Sequence, residues 1–128
     1  MILLLWLACS GGKDSSTDSA GAVEPTLTNV QAEVFDKSCA FSSCHSGAGA
    51  GGLSLDPGAS HGELVGRDST AVPGTPLVAT GEPDASYLVW KLEERDGITG
   101  DPMPPGAAVS DSQMELVVAW IAAGAKDD

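Results

Sequence analysis

The middle of the chain, from Ser46 to Asp84, is a long segment rich in glycine and proline. Irregular segments of this length are uncommon inside compact domains, because their backbone polar groups have no helix or sheet in which to pair. Such a segment suits a folded domain when it wraps around something other than protein. We therefore expect few regular elements here and a bound group beneath the loops.

Local patterns predict short helices on both sides of this segment and within it. The first helix is predicted over Thr28 to Lys37, with Thr28 as its N-cap and Gln31 three residues later, as in a capping box. Weak periodicity predicts a short helix from Ala59 to Val65. Asp84 to Glu94 predicts a further helix, with the start near Pro83 or Asp84.

The closing helix has the clearest signal of all. Ser110 and Gln113 form a capping box that opens it, and Gly124 is placed to end it. One apolar face follows at helical spacing, made of Met114, Val117, Val118 and Ile121. No alternating strand pattern is convincing, so the predicted fold class is mainly α, with about three to four helices and long Gly/Pro loops.

The first residues of the chain form a short apolar run that ends at Cys9. The run is far too short to span a bilayer, which takes roughly 20 residues, and it is typical of an export signal. Leu7-Ala8-Cys9-Ser10 resembles a bacterial lipoprotein cleavage site, so residues 1–9 are predicted to be an export signal and lipobox, with lipid on Cys9. A plain signal peptide or a buried apolar strand are the alternatives.

The number of cysteines favours lipidation. The chain has three, an odd count that is awkward in an oxidising compartment. With lipid on Cys9, Cys39 and Cys44 remain as a pair, and the lipid tethers the domain to a membrane without spanning it. Residues 10–27 have a Ser, Gly, Asp, Ala and Thr composition that predicts a flexible linker before a folded domain at 28–126. The predicted location is the periplasm or cell envelope.

The charge of the chain excludes one class of partner. Its 128 residues suffice for one domain, and they include 18 acidic and 6 basic side chains, a formal net charge of −12. Nucleic-acid binding is excluded, because phosphate contacts need clustered lysines and arginines. The acidity either keeps the protein soluble or steers it toward a basic partner.

Cys39, Cys44 and His45 form the sharpest chemical signal in the chain. Two thiols can add to the two vinyl groups of a haem, and a histidine directly after the second thiol is then held beneath the iron as its proximal ligand. The usual spacing places two residues between the cysteines, whereas four separate them here. The motif predicts covalent haem attachment.

Three other interpretations use the same residues. A disulfide between Cys39 and Cys44 would staple a small exported domain. A zinc site would combine both cysteines with His45 and His61, although adjacent ligands do not match the separated spacing of ordinary zinc folds. A redox dithiol would need two intervening residues and a βαβ setting that this chain lacks.

Met103 is the candidate for the distal iron ligand. Pro102 and Pro104 flank it and restrict the backbone, so its side chain is expected to point in one fixed direction. A thioether suits haem iron opposite a histidine and raises the reduction potential. The alternative is a methionine that fills a gap in a loop. His61 and Met114 are the other candidate sixth ligands.

Five segments of the chain follow one another in the order typical of one family. They are Cys39…Cys44-His45, Gly52-Leu53-Ser54-Leu55, Gly81 to Leu88, Met103-Pro104-Pro105 and Trp120 to Ala125. On these segments, Val34 to Lys126 resembles the single-haem cytochrome c-like domain of bacterial exported proteins and lipoproteins. The resemblance implies one covalent haem c, with thioethers at Cys39 and Cys44 and with His45 and Met103 as iron ligands.

The resemblance implies electron transfer by a protein that is not an enzyme, because iron with two axial ligands does not easily bind a substrate. Redox proteins with a basic docking patch are the expected partners. The expected core or haem contacts are Leu88, Trp90, Leu92, Val117, Trp120 and Ile121, with Arg67 and Lys91 as candidates for the propionates. The alternatives are a cofactor-free, disulfide-stapled lipoprotein with a binding or structural role, and a haem sensor or small enzyme with open iron.

Overall fold

The computed structural model describes residues 23–40, 44–47 and 52–128. Four helices, a short 3₁₀ turn and the loops between them make up this part of the chain, which contains isolated bridges and no strand, so the domain is mainly α. The predictions for the export signal, for lipid on Cys9 and for the linker as far as residue 22 lie outside the described residues. Within the described ranges, no helix is long and apolar enough to cross a membrane.

The first helix, α1, changes its winding along its length. It is α-helical over Leu27–Val30, π-helical over Gln31–Phe35 and α-helical again over Asp36–Ser38. Single π turns inside α-helices often accompany functional positions, because they re-aim the side chains around them. Here the π turn begins at a buried glutamine, and α1 leads directly to Cys39.

The predicted start of α1 is wrong by two residues. Thr26 is the N-cap, and its Oγ1 accepts from the Asn29 N–H at 3.2 Å. The Thr28 hydroxyl instead donates to the Asp128 carbonyl at 2.7 Å. The Gln31 side chain points into the interior rather than back to the helix start, because it forms hydrogen bonds there with the Leu55 carbonyl and the Ser60 hydroxyl. The capping box predicted for Thr28 and Gln31 therefore does not form.

The Gly/Pro segment contains the short helix α2, which spans Ser60–Leu64 within the predicted range. Beyond it, two single bridges join Val65 to Val78 and Asp68 to Pro76, so the chain folds back on itself. A 3₁₀ turn at Pro83–Ala85 precedes α3, which spans Tyr87–Glu93. The predicted start near Pro83 or Asp84 is therefore wrong by about three residues, because the extended backbone of Ser86 separates the turn from the helix.

The start of α3 is supported by the preceding loop. The Tyr87 N–H donates to the Pro76 carbonyl at 2.9 Å, and the Leu88 N–H donates to the Leu77 carbonyl at 3.0 Å. The first amides of a helix have no partner within it, so carbonyls from an irregular segment satisfy them here. This pairing fixes the loop against α3.

The last helix, α4, spans Asp111–Ala122 and begins with the predicted capping box. The Gln113 N–H donates to Ser110 Oγ at 3.1 Å, and the Ser110 N–H donates to Gln113 Oε1 at 2.8 Å. Gly124 lies just past the end with φ of +113°, a conformation that glycine adopts at little cost.

The buried face of α4 is rotated from the predicted one. Its buried residues are Leu116, Val117, Trp120 and Ile121, whereas Met114 and Val118 are partly buried at its edge. Trp120 is the largest fully buried side chain, and its Nε1–H donates to the Lys126 carbonyl at 2.9 Å. The core turns toward the tryptophan because its indole offers more apolar area than any neighbour and finds a partner for its N–H. The same hydrophobic core contains Leu27, Val30, Val34, Phe35, Leu55, Leu64, Val78, Val89 and Leu92.

Candidate functional site

A cleft of about 170 Å³ lies beside α3 and is lined by three of the predicted site residues, Cys39, His45 and Met103. Six leucines also line it, Leu53, Leu55, Leu64, Leu77, Leu88 and Leu92, so leucine is the commonest residue of its wall. Two larger grooves, of about 560 and 490 Å³, lie between α1 and α4 and beside the C-terminus. Neither is lined by any of the four predicted site residues, so the candidate chemistry belongs to the leucine-lined cleft.

Cys39 lies at the C-terminal end of α1, and its side chain lines the cleft. Its N–H donates to the Phe35 carbonyl at 2.9 Å, and its side chain is a buried free thiol. Burial, with a further contribution from Cys44, raises the pKa of the Cys39 thiol to about 11. Cys39 is therefore protonated at neutral pH. Cys44 itself is half-buried and does not line the cleft.

His45 is tied to the chain on three sides. Its N–H donates to the Cys39 carbonyl at 3.1 Å, and its carbonyl accepts from the Leu55 N–H at 2.7 Å. The His45 Nδ1 lies 3.3 Å from the Leu53 carbonyl oxygen, which can only accept. This contact is a hydrogen bond when Nδ1 carries the proton, and the lone pair of Nε2 is then available to a metal.

The turn that follows His45 is anchored by Asp56. The Gly47 N–H donates to Asp56 Oδ2 at 2.6 Å, and the Ser54 hydroxyl lies 3.3 Å from the same oxygen. The Gly47 N–H, with smaller contributions from the Ser46 and Ser54 hydroxyls, lowers the pKa of Asp56 below its ordinary value. The carboxylate thus holds the turn together at neutral pH.

Gln31, in the π turn of α1, connects this helix to the segment that follows His45. It is buried, and its Nε2 donates to the Leu55 carbonyl at 2.7 Å and to Asp36 Oδ1 at 2.8 Å. The Ser60 hydroxyl donates to Gln31 Oε1 at 2.7 Å. Because the Leu55 N–H also donates to the His45 carbonyl, a chain of hydrogen bonds runs from the π turn of α1 to the histidine.

Met103 reaches the cleft from the loop between α3 and α4. It is partly buried against the core, and its N–H donates to the Lys91 carbonyl at 2.9 Å. The fold thus places an imidazole and a thioether, distant in sequence, on one apolar cleft. A histidine nitrogen and a methionine sulfur are together a suitable ligand pair for iron.

The other candidate ligands lie elsewhere. The His61 Nε2 is 2.9 Å from the Ala125 carbonyl oxygen, and Met114 packs at the edge of α4, so neither lines the cleft. No group of three or more histidine, cysteine or acidic side chains within the described ranges is arranged to hold a metal ion. The zinc interpretation with His61 therefore has no support in this fold.

The six residues expected to contact haem or the core lie in three places. Leu88 and Leu92 line the cleft, whereas Val117, Trp120 and Ile121 belong to the core behind it. Trp90 lies at the surface side of α3, where its Nε1–H donates to the Asp84 carbonyl at 2.7 Å. Both expected propionate partners, Arg67 and Lys91, line the cleft. Arg67 forms an ion pair with Glu63, and Lys91 contacts the Met103 loop.

Sequence reasoning missed Gln31, Tyr87 and Asp56 as supporting residues of the site. Tyr87 is buried and lines the cleft, and its hydroxyl accepts from the Thr99 N–H at 3.0 Å. Tyr87 lies on a predicted helix before the Met103 loop and in the segment Gly81 to Leu88 that carries the family resemblance, but neither signal assigned it to the site. Gln31 and Asp56 gave none, since a polar residue in a helix or a turn is usually exposed.

In comparisons with known proteins, no family model, no curated protein and no solved structure matches this chain.

Proposed function

We propose that this protein is a small c-type cytochrome that transfers single electrons, with one haem c attached through Cys39 and Cys44. In this proposal His45 and Met103 would be the residues that bind the iron. The observation that carries it is the cleft, where Cys39, His45 and Met103 meet among six leucines. These are the residue types that haem c needs, and they come from two separate parts of the chain.

The residues present fit the chemistry of a haem. The leucines suit the apolar macrocycle, and the Leu53 carbonyl leaves the His45 Nε2 available in one tautomer. The volume of about 170 Å³ is below the roughly 300–1,000 Å³ of small-molecule sites, so we expect the lining to widen around a bound macrocycle. Half-buried Cys44 and cleft-lining Cys39 supply the two sulfurs for thioethers.

The haem supplies reversible one-electron chemistry at its iron. The role of the chain is to hold both axial ligands in place, with Leu53 orienting the His45 ring and the loop backbone orienting Met103. Such a centre has no open position for a substrate, so we propose that the protein is a carrier rather than an enzyme. The leucines exclude water and favour a raised potential.

The proposed location is the periplasm or cell envelope, with lipid on Cys9 as a membrane anchor. The predicted linker can extend at most as far as residue 25, because Thr26 caps α1 and Leu27 is buried. As a flexible chain it would let the domain range roughly 20 Å from its anchor. The formal net charge of −12 supports docking to redox proteins that carry a basic patch.

The ligand assignment is tested by carbon monoxide binding to the reduced protein. Met103→Ala opens the sixth position, so we expect the variant to bind carbon monoxide readily and its reduction potential to fall, whereas the wild type resists the gas. Met114→Ala is the matched control, because this methionine is also partly buried but does not line the cleft. Equal gas binding by wild type and Met103→Ala, or opening by Met114→Ala alone, would refute the assignment.

A further inference from the structure

Lys91 contacts the Met103 loop at three points. Its Nζ donates to the Thr99 carbonyl at 2.5 Å and to the Asp101 carbonyl at 2.8 Å. Its own carbonyl accepts from the Met103 N–H at 2.9 Å. One residue of α3 therefore binds the loop on both sides of Gly100, and the third contact is made by the proposed ligand itself.

Tyr87, one turn earlier on α3, completes this attachment. Its hydroxyl accepts from the Thr99 N–H at 3.0 Å, so both backbone polar groups of Thr99 are bound by one face of the helix. The Lys91 Nζ also lies 5.9 Å from the centre of the Tyr87 ring, within the range of a cation–π contact. Both side chains line the cleft, so the attachment lies at the proposed site.

The loop backbone is shaped to meet this ammonium group. Gly100 has a φ of +77°, a conformation that residues with a side chain rarely adopt. A Cβ built on Gly100 would lie 3.7 Å from the Lys91 Nζ. The turn at Gly100 lets the carbonyls of Thr99 and Asp101 reach one nitrogen, which is a geometry that a lysine with several donors can use.

We propose that Lys91 is a positioning residue for the distal ligand: its ammonium group holds residues 99–101, and thereby keeps the Met103 sulfur directed into the cleft. This inference rests on the proposed function, because the position of Met103 affects the iron only if Met103 is its ligand. The side chain acts through the loop and does not itself ligate the iron. Loss of the Lys91 ammonium group leaves the Thr99 and Asp101 carbonyls without their charged donor, and the loop is then free to move away from α3.

The test compares Lys91→Met, which keeps the apolar stem, with Lys91→Arg, which restores charged donors. Lys37→Met is the matched control, since it removes one charge from an exposed pair with Glu33 on α1, away from the cleft. Two quantities are measured on the full chain: hydrogen exchange at the Thr99 and Met103 amides, and carbon monoxide affinity of the reduced haem protein. Haem content of the wild type is determined first.

We expect Lys91→Met to raise both quantities at least about tenfold, because the variant loses both hydrogen bonds of a charged group. Lys91→Arg returns both toward wild type, and Lys37→Met changes neither. Unchanged exchange in Lys91→Met, or no rescue by arginine, overturns the attachment. Faster exchange with unchanged gas affinity overturns the link to the ligand. A wild type without haem overturns the proposed function, whereas the exchange result still decides whether Lys91 holds the loop.

Discussion

Replacing Gln31 with leucine should separate the contribution of the buried hydrogen-bond chain from that of apolar packing. Leucine has a similar volume, so it fills the same space but cannot donate or accept. In Gln31→Leu the Leu55 carbonyl loses its side-chain donor and the Ser60 hydroxyl loses its acceptor. Asp36 is exposed, so water can replace its lost contact. Two buried groups therefore stay unpaired.

The size of the loss follows from these two groups. A buried polar group that loses its partner costs about 1–3 kcal/mol, and the added apolar burial of a leucine returns about 1–2 kcal/mol. We expect Gln31→Leu to lower the free energy of unfolding by about 2–3 kcal/mol. Ser60→Ala in the wild-type background should cost about 1–2 kcal/mol, because it leaves Gln31 Oε1 without its donor.

The double variant is the control for this reasoning. In the Gln31→Leu background, Ser60→Ala removes a hydroxyl that is already unpaired, so it should be neutral or stabilising. Urea unfolding of the four proteins gives the coupling energy, expected at about 1–2 kcal/mol. A loss below about 0.5 kcal/mol in Gln31→Leu would refute the reasoning. So would an equal cost of Ser60→Ala in both backgrounds.

Three further predictions concern a cap, a thiol and the surface. Ser110→Ala should lower the free energy of unfolding by about 1 kcal/mol in urea, because α4 loses its N-cap, and an unchanged midpoint would contradict this. In haem-free protein the raised pKa of Cys39, about 11 against an ordinary value of 9.0, makes the folded state hold a proton that the unfolded chain loses. Stability should therefore fall by about 2 kcal/mol from pH 9 to 11, relative to Cys39→Ser and to haem-bearing protein, and parallel curves would contradict this. Electron transfer to a basic partner protein should slow as salt is raised, and a rate indifferent to ionic strength would exclude the acidic docking surface.

Local signals in the sequence predicted the helices well where the determinants are themselves local. The capping box of Ser110 and Gln113 depends on residues three apart, and it forms as predicted. The short helix α2 also lies where weak periodicity placed it. The start of α1 was misplaced, because Thr28 and Gln31 have distant partners, Asp128 and Ser60, that no short window contains.

The sequence predicted the residue types of the candidate site better than the hydrogen bonds that hold those residues in place. Cys39, Cys44, His45 and Met103 were expected together; Cys39, His45 and Met103 line one cleft, and Cys44 does not. The attachment of the Met103 loop to Lys91 was not foreseen, since a lysine on a helix is ordinarily solvated. Hydrogen bonds between a helix and a loop depend on the fold as a whole, so they become visible only in the structure.

The most direct test of the proposed function is the pyridine haemochrome spectrum of protein made with c-type maturation machinery, recorded after acid–acetone extraction. Haem retained on the protein, with the band position of two thioethers, is the predicted result for attachment at Cys39 and Cys44. A band displaced toward the single-thioether position would retain the cytochrome and remove one cysteine from the site. Protein without haem, with Cys39 and Cys44 joined by a disulfide, would contradict the proposal.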